Sequence, residues 1–214
     1  MTTKNYRLIA VDGLAASGKG TLARRIAEYY DLAYLDTGLL YRAVGYEVLS
    51  VNGNLNNPRH GLIAAVKLKP KNLNNPELRS EAVSEAASVV AMNPEVRMAL
   101  LNFQKSFAHN PPDGKMGSVL DGRDIGTVIC PDADRKLFVR ADISIRASRR
   151  YKELRSRGLN AIYARVLQDL RDRDRRDVSR NMAPLIPAKD AFVLDTTFLD
   201  SEGAFRAALG YALF

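Results

Sequence analysis

The segment Asp12-Gly13-Leu14-Ala15-Ala16-Ser17-Gly18-Lys19-Gly20-Thr21 carries the chemistry of a phosphate cradle. Gly13 and Gly18 let the backbone approach closely, successive N–H groups and a following helix N-terminus supply positive partial charge, and Lys19 can bridge β- and γ-phosphates. The apolar run Leu8 to Val11 precedes it, and Leu22, Ile26 and Tyr29 or Tyr30 follow at helical spacing. That is the strand, loop and helix order such a cradle requires. The strict pattern places Ser or Thr directly after the lysine. Here Gly20 stands there and Thr21 comes one later, which takes the hydroxyl away from its usual place beside Mg²⁺. The alternative is an ordinary glycine turn between strand and helix.

Two further clusters sit at the ends of apolar runs, where ligands of open parallel sheets bind. Leu35-Asp36-Thr37-Gly38-Leu39-Leu40-Tyr41-Arg42-Ala43 combines a hydroxyl, an aromatic ring and an arginine, although Thr37 alone reads as an N-cap and Arg42 alone as a solvated residue. After Ser118-Val119-Leu120 comes Asp121-Gly122-Arg123-Asp124-Ile125-Gly126-Thr127. Asp121 could reach Mg²⁺ through water, and Arg123 with Asp124 could read an anionic, hydrogen-bonding ligand, against the alternative of a common turn. On a helix, Arg173, Arg176, Asp177 and Arg180 stand at i, i+3, i+4 and i+7, which predicts three guanidinium groups and one carboxylate on one face. Arginine forks phosphate bidentately, while a lone carboxylate among arginines suits sugar hydroxyls or orients the arginines. The competing reading is a solvated helix laced with ion pairs.

An acceptor that is itself a monophosphate needs no catalytic base, because its second pKa of about 6 leaves an ionised oxygen at neutral pH. An alcohol acceptor would need a placed Asp or His, and His60 and His109 lie in unpromising contexts. The excess of arginines over candidate bases favours a phosphate acceptor. No Asn-Lys-x-Asp is present, which removes a guanine-reading GTPase.

The elements that must position these groups follow from the rest of the chain. Its 214 residues, 46% apolar and 26% charged, have globular composition and suit one domain with an inserted lobe. Short apolar runs at Leu8 to Val11, Ala33 to Leu35, Val119 to Leu120, Leu137 to Val139 and Phe192 to Leu194 alternate with helical patterns, which predicts an α/β fold with a central parallel sheet. Asn93-Pro94 starts an amphipathic helix carrying Val96, Leu100, Phe103 and Phe107; Asn75-Pro76 repeats the signal before a helix running to about Val90. Residues 52–74, rich in Asn, Lys and Pro with little periodicity, are expected as part of a surface insertion, and Ser201 to Leu213 as a terminal helix. One cysteine, Cys130, and two histidines exclude zinc frameworks and suit a reducing cytoplasmic setting; no apolar run approaches a membrane span. The net charge of +8 is local, since residues 140–180 hold 12 Arg and one Lys against six acids. This points to a polyanionic ligand.

Taken together the motifs Val11 to Thr21, Leu35 to Ala43, Asp121 to Ala133, Lys136 to Phe138 and Arg173 to Asp195, with Ala183-Pro184-Leu185 and Asp190-Ala191, resemble the bacterial cytidylate kinases of the nucleoside monophosphate kinase group. Gly20-Thr21 after Lys19 is what that group uses. The resemblance implies a three-layer P-loop fold over residues 1–214, a nucleoside-monophosphate-binding lobe at 52–90 and an arginine-bearing lid at 149–165. It implies transfer of the γ-phosphate of ATP to CMP or dCMP, with Mg²⁺ held mainly through nucleotide phosphates and water rather than by protein ligands. Gly13, Leu14, Ala15, Ala16, Ser17, Gly18, Lys19, Gly20 and Thr21 would hold the donor. Ser88, Arg97 and Asp124 would read cytosine, Arg173 and Asp177 the sugar; Thr37, Tyr41, Arg42, Arg123 and Arg180 would surround the acceptor phosphate. Lys19, Arg123, Arg173 and Arg180 are the expected catalytic residues. Three departures stand out: Leu14-Ala15-Ala16 replaces a Pro-Ser-Gly type of loop, Thr37 a serine, and the insertion from 52 to 80 is short. The expected partners are small molecules, with no nucleic acid, no membrane and a monomeric chain. The rivals are another small P-loop kinase, for a different monophosphate or a small metabolite, and a nucleic-acid binder using the arginine-rich segment.

Overall fold

The computed structural model describes residues 7–212. Strands β1 (Arg7–Gly13), β2 (Ala33–Asp36), β3 (Gly117–Gly122), β4 (Arg135–Arg140) and β5 (Phe192–Asp195) form one sheet in the order β2-β3-β1-β4-β5. β1 pairs in parallel with both β3 and β4, and β4 with β5. All five predicted strands are present. They are legible as apolar runs because a parallel sheet is covered on both faces: every residue of β1 from Leu8 on, and all of β3, is buried. On one face Ile9, Val11, Val119, Leu137 and Val139 pack with Leu22, Ala23 and Ile26 of α1 (Lys19–Tyr29) and with Phe205 and Ala208 of a C-terminal helix. That helix begins at Ser201 as expected and is followed to Ala212; Leu213 lies outside the described residues.

The chain divides into two compact units, residues 1–35 with 108–214 and residues 36–107. The first contains the sheet. The second is helical: α2 (Thr37–Ser50), α3 (Pro58–Lys67), α4 (Glu81–Val90) and α5 (Pro94–His109), the last continuing past its boundary. Leu40, Val44, Val48, Ala64, Val90, Val96 and Leu100 form its core. Gly45 sets the approach of α2 to α4, since a Cβ there would lie 2.9 Å from the Ala86 Cβ and 3.0 Å from the Ala87 nitrogen. The expected lobe, 52–90, falls within this unit.

Two sequence expectations need correction here. Asn75-Pro76 does not start one helix to Val90: it starts a 3₁₀ turn, Pro76–Arg79, and α4 begins afresh where the extended Ser80 accepts from the Val83 N–H at 3.4 Å. Residues 52–74 are not aperiodic, because they contain α3 and a second 3₁₀ turn. Three Asn-Pro pairs start segments in the same way. The Asn57, Asn75 and Asn93 side chains accept the backbone N–H two residues on, at 3.0, 3.0 and 2.9 Å.

In the first unit, α6 (Ile143–Ser156) and α7 (Tyr163–Ser179) pack on each other through Ala147, Leu154, Val166 and Leu170, with α8 (Ser201–Ala212) closing the order of elements. Among the described residues, no helix is long and apolar enough to cross a membrane.

Candidate active site

The cradle after β1 is shaped by backbone contacts that sequence alone explains only in part. Gly13 has φ +152°, and a Cβ there would fall 2.1 Å from the Val139 carbonyl oxygen, so no other residue fits. Gly18, at φ +90°, precedes α1, which has neither a side-chain cap nor an acidic residue in its first turn. Its first N–H groups therefore remain available to an anion. Ser17 Oγ is buried without a hydrogen-bond partner. A bound oxyanion suits such an orphaned hydroxyl. Ala16 takes the left-handed conformation, φ 57°, at the position where a glycine is usual, while Ala15 and Ala16 pack against α6 and α7.

The absence of a hydroxyl after Lys19 has a steric cause. A Cβ on Gly20 would lie 2.9 Å from Asp121 Oδ2, and Asp121 is itself held by Lys19 Nζ at 3.4 Å and by the Tyr34 hydroxyl, which donates at 3.3 Å. Asp121 thus faces the lysine of the cradle, its charge balanced in part by Lys19. Among the described residues no group of three or more His, Cys, Asp or Glu could hold a metal ion. Asp121, beside the cradle lysine, offers an oxygen donor that a divalent ion carried in by nucleotide phosphates could reach through water.

Beside the cradle lies a cavity of about 200 Å³ bounded by Gly18, Thr21, Arg149, Thr196, Leu199 and Ser201. Arg149 donates to Thr196 Oγ1 at 3.1 Å and to the Thr196 and Leu199 carbonyls at 2.7 and 3.0 Å. The expected lid, 149–165, runs from this arginine through the end of α6 into the start of α7.

At the end of β3, Arg123 donates from Nε to Asp177 at 2.8 Å, and Arg180 grips the other oxygen of Asp177 at 2.5 Å. Asp177 and Arg180 are both more than nine-tenths buried. Burial pushes the Asp177 carboxyl up, but Arg123, Arg180 and Arg173 outweigh it and hold its pKa at about 2. Burial likewise opposes the charge of Arg123, and Asp177, Asp121 and Asp12 more than restore it. The predicted helical face is only partly right. Helix α7 stops at Ser179, and Arg180 is extended at φ −61° and ψ 133°. The Asp177 carbonyl accepts instead from the Leu185 N–H at 2.8 Å, which turns the chain out of the helix. Arg180 still meets Asp177, but from the turn. Both oxygens of Asp177 are thus engaged by arginines. Arg173 and Arg176 are half-buried, whereas Arg175 is exposed and paired with Asp172 at 3.1 Å.

In the second unit, Thr37 is buried in the first turn of α2, and Tyr41 one turn on lies under the Arg97 guanidinium, 5.5 Å from ring centroid. Arg97 is buried and reaches the Ala91 carbonyl at 3.5 Å; Arg42 donates to the Leu78 carbonyl at 3.2 Å. Ser88 is buried on α4, and in the first unit Asp124 is buried ahead of a π-helical turn, Ile125–Ile129. The structure thus brings together Lys19 with Asp121, Arg123 with Asp177 and Arg180, and Tyr41 with Arg97.

Sequence reasoning missed the supports. Arg146, buried beneath the cradle, donates to the Ala15 carbonyl at 3.2 Å and forms an ion pair with Asp174 at 2.7 Å. Thr196 Oγ1 donates to the Ser17 carbonyl at 2.9 Å. Lys136, also buried, holds Asp190 at 2.8 Å. Arg146 carries a faint signal, as a third arginine next to the Arg149-Arg150 pair. Lys136 and Asp190 lie in motifs already noted, but their pairing, like that of Thr196 with Ser17, has no signal, because partners 54 to 179 residues apart obey no local spacing.

The family model for cytidylate kinase matches residues 9–210. The cytidylate kinase of Paramagnetospirillum magneticum is 55% identical over 95% of this chain and 96% of its own; that of Methylocella silvestris is 55% identical over 94% and 92%. A crystal structure of an uncharacterized protein from Eubacterium ventriosum aligns with TM-score 0.54 at 16% identity, covering 96% of this chain and 97% of that one, which shows a shared fold alone. A family match over nearly the whole length, with relatives above half identity, settles membership: the chain belongs to the cytidylate kinase family.

Proposed function

We propose that this chain transfers the γ-phosphoryl group of ATP to CMP or dCMP, giving ADP and CDP or dCDP. The observation that carries the proposal is the Arg123–Asp177–Arg180 cluster: its one carboxylate is engaged by two arginines and held ionised far below neutrality, so the cluster offers charge neutralisation and no proton acceptor. That suits a monophosphate acceptor, whose ionised oxygen attacks the γ-phosphorus while the bond to the β-bridging oxygen breaks and ADP departs. Gly13 to Thr21 cradle the donor phosphates, and Lys19 neutralises charge on the transferring group. Asp121 would hold Mg²⁺ through water, and the ion would supply further charge neutralisation at the donor phosphates.

Acceptor roles follow the groups each unit carries. Ser88 and Arg97, with Asp124, are assigned to cytosine; Arg173 and Asp177 to the sugar; Thr37, Tyr41, Arg42, Arg123 and Arg180 to the phosphate. Residues 149–165 act as the lid that excludes water, so that ATP is not merely hydrolysed. The protein works as a cytoplasmic monomer on small molecules, without nucleic acid or membrane. A coupled assay of ADP release with CMP, dCMP, UMP, AMP and GMP tests the reading. Turnover highest with CMP and dCMP is expected; equal release without acceptor, or a preference for a purine monophosphate, would overturn it.

A further inference from the structure

Asp12 has no part in the mechanism above, yet its side chain is among the most constrained in the molecule. It is the penultimate residue of β1, directly before Gly13, and stands opposite Gly122 of β3 and Phe138 of β4. Its carboxyl group is buried. The Ile125 N–H donates to Oδ1 and the Gly126 N–H to Oδ2, each at 2.8 Å. These are the first two amides after Arg123 and Asp124. The fit around them is close: a Cβ on Gly126 would lie 3.1 Å from the stem of Lys136 and 3.5 Å from Asp12 itself.

We propose that Asp12 is a positioning residue for the acceptor, fixing Arg123 and Asp124 by holding the backbone of Ile125 and Gly126. The inference rests on the acceptor roles proposed for those two residues. The ionised carboxylate accepts both N–H groups through separate oxygens; a proton occupies a lone pair of one of them and removes the charge that strengthens both bonds. Burial pushes the Asp12 pKa up to about 7, opposed by the Gly126 and Ile125 N–H groups and reinforced by the negative charges of Asp124 and Asp121. The charged groups facing it are Asp121 and Arg123 at the end of β3 and Asp124 before the turn; the stem of Lys136 of β4 packs beside Gly126, with its ammonium on Asp190. Raised above its unfolded value, this carboxyl loses its charge as pH falls through neutrality. Acceptor binding should weaken in that same window.

A purely structural role predicts something different. Asp12 adjoins the donor cradle as directly as it adjoins the Ile125 turn, so general loosening would weaken ATP and CMP alike. The test compares wild type with Asp12→Asn in KM for CMP and for ATP between pH 6 and 8, together with amide resonances of Ile125 and Gly126 in the wild-type protein. The variant should raise KM for CMP about tenfold, the effect of losing a charge-assisted hydrogen bond, while KM for ATP stays within about twofold. The rise of wild-type KM for CMP toward pH 6 should exceed that of the variant, since ionisation of the substrate's own phosphate affects both equally. Both amides should titrate together in wild type, with the midpoint of that excess. Equal changes in the two KM values, or amides that do not move across this range, would overturn the proposal. Should Asp12→Asn not fold, coincidence or divergence of the wild-type amide midpoint and KM profile decides it. Failure of the wild-type protein to phosphorylate CMP would instead overturn the functional reading and leave the amide titration to judge Asp12.

Discussion

Replacing Asp177 by Asn removes the charge that the buried Arg180 and the partly buried Arg123 share, and the cost can be worked from the structure. The folded-state pKa of Asp177 is about 2 against an unfolded 3.8, and a depression of nearly two units corresponds to about 2 kcal/mol of stability. Because the folded value is the lower one, this contribution is complete above the unfolded pKa and is lost as pH falls toward 2. At pH 3 roughly 1 kcal/mol of it should survive. The amide cannot accept from Arg123 and Arg180 at once without turning its NH₂ toward one of them, so the variant also leaves a buried cation poorly paired. The loss at pH 6 should therefore be at least about 2 kcal/mol, and up to about 5 if the neighbours do not relax. Urea unfolding of both proteins at pH 6 and pH 3, followed by circular dichroism, measures the difference directly. The gap should narrow by about 1 kcal/mol at the lower pH. A gap that is the same at both values would show that Asp177 is not held ionised by its arginines, and the reading of the cluster would fall.

Lys19→Met should lower kcat by about 10²-fold or more with the fold intact, since one preorganised charge on the transferring group is gone; near-normal turnover in the purified variant would remove the cradle lysine from the mechanism. The ratio of kcat/KM for CMP over UMP should be at least about tenfold and should shrink in Asp124→Asn, because an amide presents a donor as readily as an acceptor, whereas the exposed Arg175→Ala should leave it unchanged. An unshifted ratio in Asp124→Asn would refute the cytosine assignment. Ala16→Gly relieves a left-handed alanine and should stabilise the protein by about 0.5 to 1 kcal/mol in thermal unfolding, with a lower midpoint counting against strain at that turn.

Elements buried on two faces were the legible ones. β1 from Leu8 on and β3 read as apolar runs because both of their faces are covered, and α5 because Asn93-Pro94 caps a run of large apolar residues. Helix α3 escaped notice because it buries Gly61, Ala64 and Ala65, small residues that leave no apolar stripe, while Ile63 and Val66 point outward. The cradle was legible whole, since its chemistry lies in ten consecutive residues. Arg123 and Asp177 meet across 54 positions, a separation that no local spacing encodes. The extrapolation of α7 to Arg180 failed for a local reason, the capture of the Asp177 carbonyl by Leu185, which no helical spacing encodes.

Asn57-Pro58, Asn75-Pro76 and Asn93-Pro94 recur 18 residues apart, each pair supplying its own acceptor and its own fixed backbone angle. A segment start written into two adjacent residues does not depend on how much chain precedes it. Lengthening a connector costs little, since closure entropy grows only with the logarithm of loop length. Insertions and deletions that separate family members in this unit should therefore collect just ahead of the three asparagines, leaving the helices that follow in register.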